Sequence, residues 1–183
     1  MTKYLSEIKR SMNMLAKNEK TIFVGQAIEY PGTAVTHQVK ELEVIKKLEM
    51  PVAEDFQAGF CLGLALEGHI PICIYPRFNF AFLACNQIVN HVDKFPYLMK
   101  ESLPKIIFKV CVGSDKPLDP GYQHKGNYTQ AFRLLCDTIE VVELTNSTMV
   151  YPAYEHALNR EDGRSTIIVE HSKMYAFEPE WEW

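Results

Sequence analysis

Residues 54–75, "EDFQAGFCLGLALEGHIPICIY", change character once along their length. The first two thirds, 55–67, read as an apolar helix rich in small residues, and "PICIY" (71–75) reads as a short β-branched strand bounded by turn residues. The same strand signal recurs upstream at "TIFVG" (21–25). Downstream it recurs at "KIIFKVCVG" (105–113), "IEVVEL" (139–144) and "STIIVE" (165–170). Continuous apolar runs of this kind fit strands buried on both faces, and the segments between them can form helices. The expected fold is therefore α/β, a mostly parallel sheet with helices on both faces.

The helices are expected at 3–18, where Leu5, Ile8, Met12 and Leu15 recur at helical spacing, and at 34–48, 55–67, 80–100, 128–136 and 148–160. Asn127 and Ser147 are expected to cap the last two. Residues 113–127, "GSDKPLDPGYQHKGN", are too long and turn-rich for a simple connector, and long loops of this kind are often functional.

A chain of 183 residues that is 47% hydrophobic and 23% charged has ordinary globular composition, so one domain over 1–183 is expected. With 19 basic against 23 acidic residues and no basic stripe, nucleic acid is excluded as the expected partner. No apolar run approaches the roughly 20 residues that span a bilayer, and "MTKYLSEIKR" lacks a secretory apolar segment, so no membrane partner and a cytoplasmic location are expected. The five cysteines are widely spaced without a C-x-x-C pair, so they are read as reduced core residues. No phosphate-binding G-x-x-x-x-G-K-[ST] occurs, and Gly59, Gly63 and Gly68 lie in or beside a helix-like run, where close packing is the simpler role.

Several pieces come in a telling order: "MPVAE" (50–54), "GFCLGLALEG" (59–68), "HIPICIY" (69–75), "RFNF" (77–80), "NQIVN" (86–90) and "YQHKGN" (122–127). This order resembles the pyrimidine-binding domain of thiamine-diphosphate-dependent enzymes. It is most like the β subunit of the first component of pyruvate and other 2-oxo acid dehydrogenases, and more distantly like transketolase. The resemblance covers nearly the whole chain. It implies thiamine diphosphate as cofactor, with Mg²⁺ held by a partner chain, because the G-D-G motif that binds the diphosphate is absent here. It further implies a separate α-like subunit carrying that motif, in a two-plus-two assembly. The expected chemistry is making or breaking a C–C bond next to a carbonyl, on a 2-oxo acid or a sugar, by a dehydrogenase, decarboxylase or transketolase-like enzyme active only with that partner. A non-catalytic scaffold or regulatory module is the alternative.

By motif position, Glu54 is the catalytic carboxyl that shares a proton with the cofactor's aminopyrimidine, whereas Asp55 is a solvated first-turn acid. Phe80 is the ring expected beside the pyrimidine, where offset stacking adds about 0.5–1.5 kcal/mol beyond burial. Phe78 is the other cofactor-side aromatic, or a core residue if the segment is extended. His124 is the implied second catalytic residue, facing the substrate. Lys125 could meet an anionic substrate group, and His37 is a weaker substrate-side candidate. The remaining histidines show no metal spacing, so this chain is expected to hold no metal itself.

Overall fold

The computed structural model describes residues 1–30, 34–43, 46–99 and 105–177. α1 (Lys3–Ala16) leads into β1 (Thr21–Gly25), α2 (Ala34–Val39), β2 (Lys47–Glu49), α3 (Glu54–Leu66) and β3 (Ile70–Tyr75). α4 (Phe95–Leu98), β4 (Ile107–Val112), α5 (Thr129–Leu135), β5 (Glu140–Glu143), α6 (Ser147–Asn159), β6 (Thr166–His171) and α7 (Lys173–Ala176) follow. The six strands form one sheet in the order β2-β1-β3-β4-β6-β5, and every pair is parallel.

Alternation along each strand splits the core into two layers. Phe23, Ile72, Ile74, Ile107 and Ile168 point to one face, where Tyr4, Ile8 and Met12 of α1 and Val150 and Tyr154 of α6 cover them. Val24, Cys73, Tyr75, Phe108 and Val169 point to the other, beneath Ala58 and Cys61 of α3, Phe78, Ile88 and Phe132. All residues of β3 and β4 are buried, as expected of central strands covered on both sides. Four cysteines are buried and Cys85 is half-buried, all with free thiols.

The structure corrects four sequence-based readings. Residues 34–48 are not one helix: α2 stops at Val39 and Lys47–Glu49 pair with Phe23–Gly25 as an edge strand, while residues 44 and 45 lie outside the described residues. Three ladder pairs are too few to leave a periodic signal. Residues 80–100 are likewise broken, into a 3-10 turn at Phe78–Phe82, a π-helical turn at Gln87–Val92 and α4; residue 100 lies outside the described residues. The cap of α6 is Asn146, whose Oδ1 accepts from the N–H groups of Thr148 and Met149 at 3.0 and 3.2 Å, and Ser147 is the first helical residue. Asn127 does serve the start of α5, accepting from Thr129 N at 3.0 Å. Of the glycines in 59–68, only Gly59 meets a neighbour closely: a Cβ there would lie 3.5 Å from the side chain of Gln87, whereas one at Gly63 would point into open space.

The order of the strands decides where a ligand can sit. The chain leaves β1 outward to β2 and returns past β1 to β3, so connections diverge between β1 and β3. In open α/β sheets that divergence opens a crevice at the carboxyl ends of the strands.

Candidate functional site

α3 enters that crevice. Its first residue is Glu54, and its second turn places Gln57 so that Nε2 donates to the Ile74 carbonyl at 3.0 Å and the Val24 carbonyl at 3.4 Å, touching Cys73 Sγ at 3.3 Å. One amide thus ties the helix to the ends of β1 and β3, leaving its own Oε1 buried without a partner among the described residues. β1 and β3 approach closely here because residue 25 is glycine: a Cβ would stand 2.7 Å from the Ile74 carbonyl oxygen, below any tolerable contact.

Glu54 is only 5% exposed, and its carboxyl group has no hydrogen-bond partner among the described residues. Its position is set through its main chain. The Tyr75 hydroxyl at the end of β3 donates to the Glu54 carbonyl at 2.9 Å, in a setting where burial, then the neighbouring Cys73 and Cys61 thiols, then Glu54 raise the phenol's pKa far above its usual range. Asp55 is exposed and accepts from Gln87 Nε2 at 3.3 Å, consistent with a solvated acid.

A second carboxylate braces the chain that leaves β1. Glu49, at the end of β2, accepts from the main-chain N–H groups of Ala27, Ile28 and Glu29 at 2.6, 2.9 and 3.0 Å. Successive N–H groups converge in this way because Ala27 takes a left-handed conformation (φ 54°), forming a small anion-binding nest that the chain fills with its own side chain. Met50 N donates to Gly25 O at 2.9 Å, closing the same corner.

Of the two aromatics in "RFNF", Phe78 is in the core, stacked on Phe132 at 5.4 Å and edge-on to Tyr128 at 5.6 Å. It is core although the segment is a 3-10 turn rather than extended. Phe80 is half-buried and packs against the His124 ring at 5.3 Å. His124 closes the short turn Tyr122–His124, and its Nδ1 lies 3.1 Å from Asn79 Oδ1. An amide oxygen only accepts, so in that contact Nδ1 is the donor, and Nε2 has no hydrogen-bond partner among the described residues.

Lys125 is engaged elsewhere: its ammonium pairs with Asp115 and, at 2.8 Å, with Asp119, and these two carboxylates raise its pKa. It braces the 113–127 loop. His37 lies exposed on α2. The structure therefore joins Phe80, Asn79 and His124 in one contact group, hangs Glu54 from the same strand end through Tyr75, and leaves Phe78 and Lys125 to packing and loop closure. Gln57, Tyr75, Asn79 and Glu49 were not singled out from sequence. Gln57 alone carried a signal, as an uncharged polar residue one helical turn after Glu54 in an apolar run. Among the described residues no cluster of His, Cys, Asp and Glu could hold a metal ion.

The all-parallel sheet thus carries Glu54 beside its switch point, at the start of α3, and the Phe80–His124 pair on the segments that follow β3 and β4, in an α/β chain. No protein-family profile matches the chain. It is 26% identical over 165 residues to the mitochondrial pyruvate dehydrogenase E1 component subunit β of Homo sapiens, covering 88% of this chain and 45% of that one. It is 27% identical over 122 residues to the corresponding subunit of Rickettsia conorii, covering 64% and 37%. In fold it matches a split-gene transketolase solved as an inactive β4 tetramer, with a TM-score of 0.69, 16% identity, and coverage of 91% of this chain and 50% of that one. The chain is thus similar in sequence to pyruvate dehydrogenase E1 β subunits and has the transketolase-like fold, as the ordered motifs imply. It spans about half the length of the curated relatives it matches.

Proposed function

We propose that the chain is the pyrimidine-binding subunit of a split thiamine-diphosphate-dependent enzyme that makes or breaks a C–C bond next to a carbonyl, on a 2-oxo acid or a sugar. The single observation that carries this is Glu54, a residue only 5% exposed whose carboxyl group makes no hydrogen bond among the described residues. A carboxyl group held in place through its main chain, with its own oxygens uncommitted, is available to a ligand that completes it. An aminopyrimidine ring nitrogen is the right complement, since the carboxyl can share a proton with it.

The residues present fit that group. Glu54 would hold the pyrimidine nitrogen, Phe80 would offer a ring face while excluding water, and the free Nε2 of His124 would face the carbonyl compound to steady charge or move a proton. The bound cofactor would supply the carbanion chemistry, and the protein orientation and proton control. Phe78 would act behind Phe80 as packing.

A diphosphate-binding α-like chain with a G-D-G motif would hold Mg²⁺ and complete the site, in a two-plus-two assembly. Exposed apolar residues on either side of Glu54 in the chain support such a contact: Val52 is 82% and Phe56 57% exposed. The E1 β relatives and the β4 tetramer support the choice of partner class. The test is to co-purify the chain with candidate G-D-G chains in the presence of thiamine diphosphate and Mg²⁺ and to measure decarboxylation of 2-oxo acids and ketol transfer. Activity that needs both chains is expected; a complex that forms and binds the cofactor but turns over none of these substrates would overturn the catalytic reading.

A further inference from the structure

On the side of the sheet opposite α3, a groove of about 670 Å³ runs along α1 where α6 packs beside it. Met1 lies at one end and Lys17 at the other, with Lys9, Arg10 and Met14 of α1 and Tyr151 of α6 between them. Among the described residues, every charged side chain that lines it is a cation. Arg10 lies over the Tyr151 ring, its Cζ 3.9 Å from the centroid, and Nη1 donates to Glu7 Oε2 at 3.0 Å. Lys9 and Lys17 make no ion pair among the described residues.

α7 ends beside one mouth of this groove. The Thr2 hydroxyl donates to Met174 O at 2.8 Å, with Tyr175 O 3.2 Å away, so α7 is held against the residue that follows Met1. Residues 178–183, "EPEWEW", continue from there and lie outside the described residues. Six residues fully extended span on the order of 20 Å, and the helix axis from Thr2 to Asn13 rises only about 16 Å. The segment is therefore long enough to follow the groove over most of its length.

Its composition is the counterpart of the groove's. Glu178, Glu180 and Glu182 alternate with Pro179, Trp181 and Trp183, without a cation. Their carboxylates match Lys9, Arg10 and Lys17, and opposite charge of this kind sets which surfaces pair. The surface on the other side of α7, around Phe177, mixes Lys116 and Lys173 with Asp115 and Glu143, and offers an acidic segment no such excess. Alternation with period two puts acids on one side of an extended segment and indoles on the other. Pro179 favours that form, since it fixes its own φ and biases Glu178 toward extended backbone. Indoles fit Met14, Tyr151 and the side of the Arg10 guanidinium turned away from Tyr151, because a ring face attracts a cation. The Arg10 side chain is 59% exposed, which leaves room for such a ring.

We propose that residues 178–183 dock in this groove of their own chain, carboxylates toward Lys9, Arg10 and Lys17 and indoles over Met14, Tyr151 and Arg10. The inference stands apart from the reading of Glu54. Trp181 and Trp183 are the two tryptophans of the chain, so indole fluorescence reads this segment alone. Its emission maximum and acrylamide quenching are compared with those of the free peptide EPEWEW. Blue-shifted emission, shielded from acrylamide, is expected in the chain. Arg10→Glu should lower the docked-to-free ratio about three- to tenfold, the scale of turning a surface attraction into a repulsion, with the circular dichroism unchanged. Glu180→Lys combined with Glu182→Lys, which alters no described residue, should release the indoles likewise. Adding Lys9→Glu and Arg10→Glu to that pair should restore the shielding. Indoles as quenchable as in the free peptide, or shielding that Arg10→Glu and the paired lysine substitutions both leave intact, overturn the proposal. Shielding that disappears on dilution together with a dimer in sedimentation velocity overturns docking within one chain and assigns the groove to a second copy.

Discussion

The Tyr75 hydroxyl donates to the main-chain carbonyl of Glu54 at 2.9 Å, so the last residue of β3 holds the first residue of α3. Both are buried, at 1% and 5% exposure. The bond fixes the carboxyl-bearing residue without consuming its carboxyl group, which leaves that group available to a ligand. Tyr75→Phe should keep the ring packing and lose only this bond. We expect about 1 kcal/mol of lost stability in urea unfolding, together with weaker thiamine diphosphate binding in the assembled enzyme; unchanged cofactor affinity would remove Tyr75 from the site.

Glu54→Gln separates function from folding. The amide is isosteric and costs no hydrogen bond of the carboxyl group among the described residues, so the thermal midpoint should stay within about 3 °C of the parent. Turnover of the assembled enzyme should fall by at least about a hundredfold, since the amide cannot share a proton with a pyrimidine nitrogen. Parent-level turnover in a variant shown to bind cofactor would exclude the proton-sharing role.

Glu49→Ala empties the nest of Ala27, Ile28 and Glu29. Three main-chain N–H groups lose a charged acceptor and Ala27 keeps its left-handed strain, so the loss should reach about 2–4 kcal/mol by chemical denaturation. Ala27→Gly in the parent should instead stabilise by up to about 1 kcal/mol, because glycine adopts φ 54° without a Cβ clash. A destabilised Ala27→Gly would show that this conformation is not strained.

Asp93 supplies a pH dependence. Burial pushes its carboxyl pKa up, but the Asp137 N–H, the Lys94 ammonium and the Ile139 and Thr138 N–H groups outweigh that and hold it below the ordinary aspartate value. A folded-state pKa below the unfolded one means the contribution is complete above the unfolded value of about 4 and disappears as pH falls through the folded one. The stability gap between the parent and Asp93→Asn should therefore be constant near neutrality and shrink below about pH 4. A gap that widens on acidification would reverse the assignment.

Much of the sheet is legible in the residues themselves. Runs such as "TIFVG" and "PICIY" are continuously apolar because parallel strands are covered on both faces, and that leaves a mark on composition. β2 leaves no such mark: Lys47–Glu49 is a three-residue edge strand whose burial alternates weakly. The break of 80–100 into 3-10, π and α turns is equally silent, because what interrupts the helix is packing. Gln87 meets Gly59 and Asp55 of α3, while Asp93 turns away to cap Asp137, Thr138 and Ile139.

The same division holds at the site. Sequence by itself determines that Glu54 opens a helix after a turn, that aromatics and a histidine follow the next two strands, and hence which class of chain this resembles, because those features are local and ordered along the chain. Only the tertiary structure decides which of them meet. Phe78 goes to Phe132 and Phe80 to His124, and Lys125 is spent on Asp115 and Asp119. Gln57 and Tyr75 become the fixtures of α3 because a parallel sheet brings the ends of β1 and β3 side by side. Apart from the Lys125 pairs within one loop, such contacts join residues 17 or more positions apart, where no local pattern records which side chains will share a face.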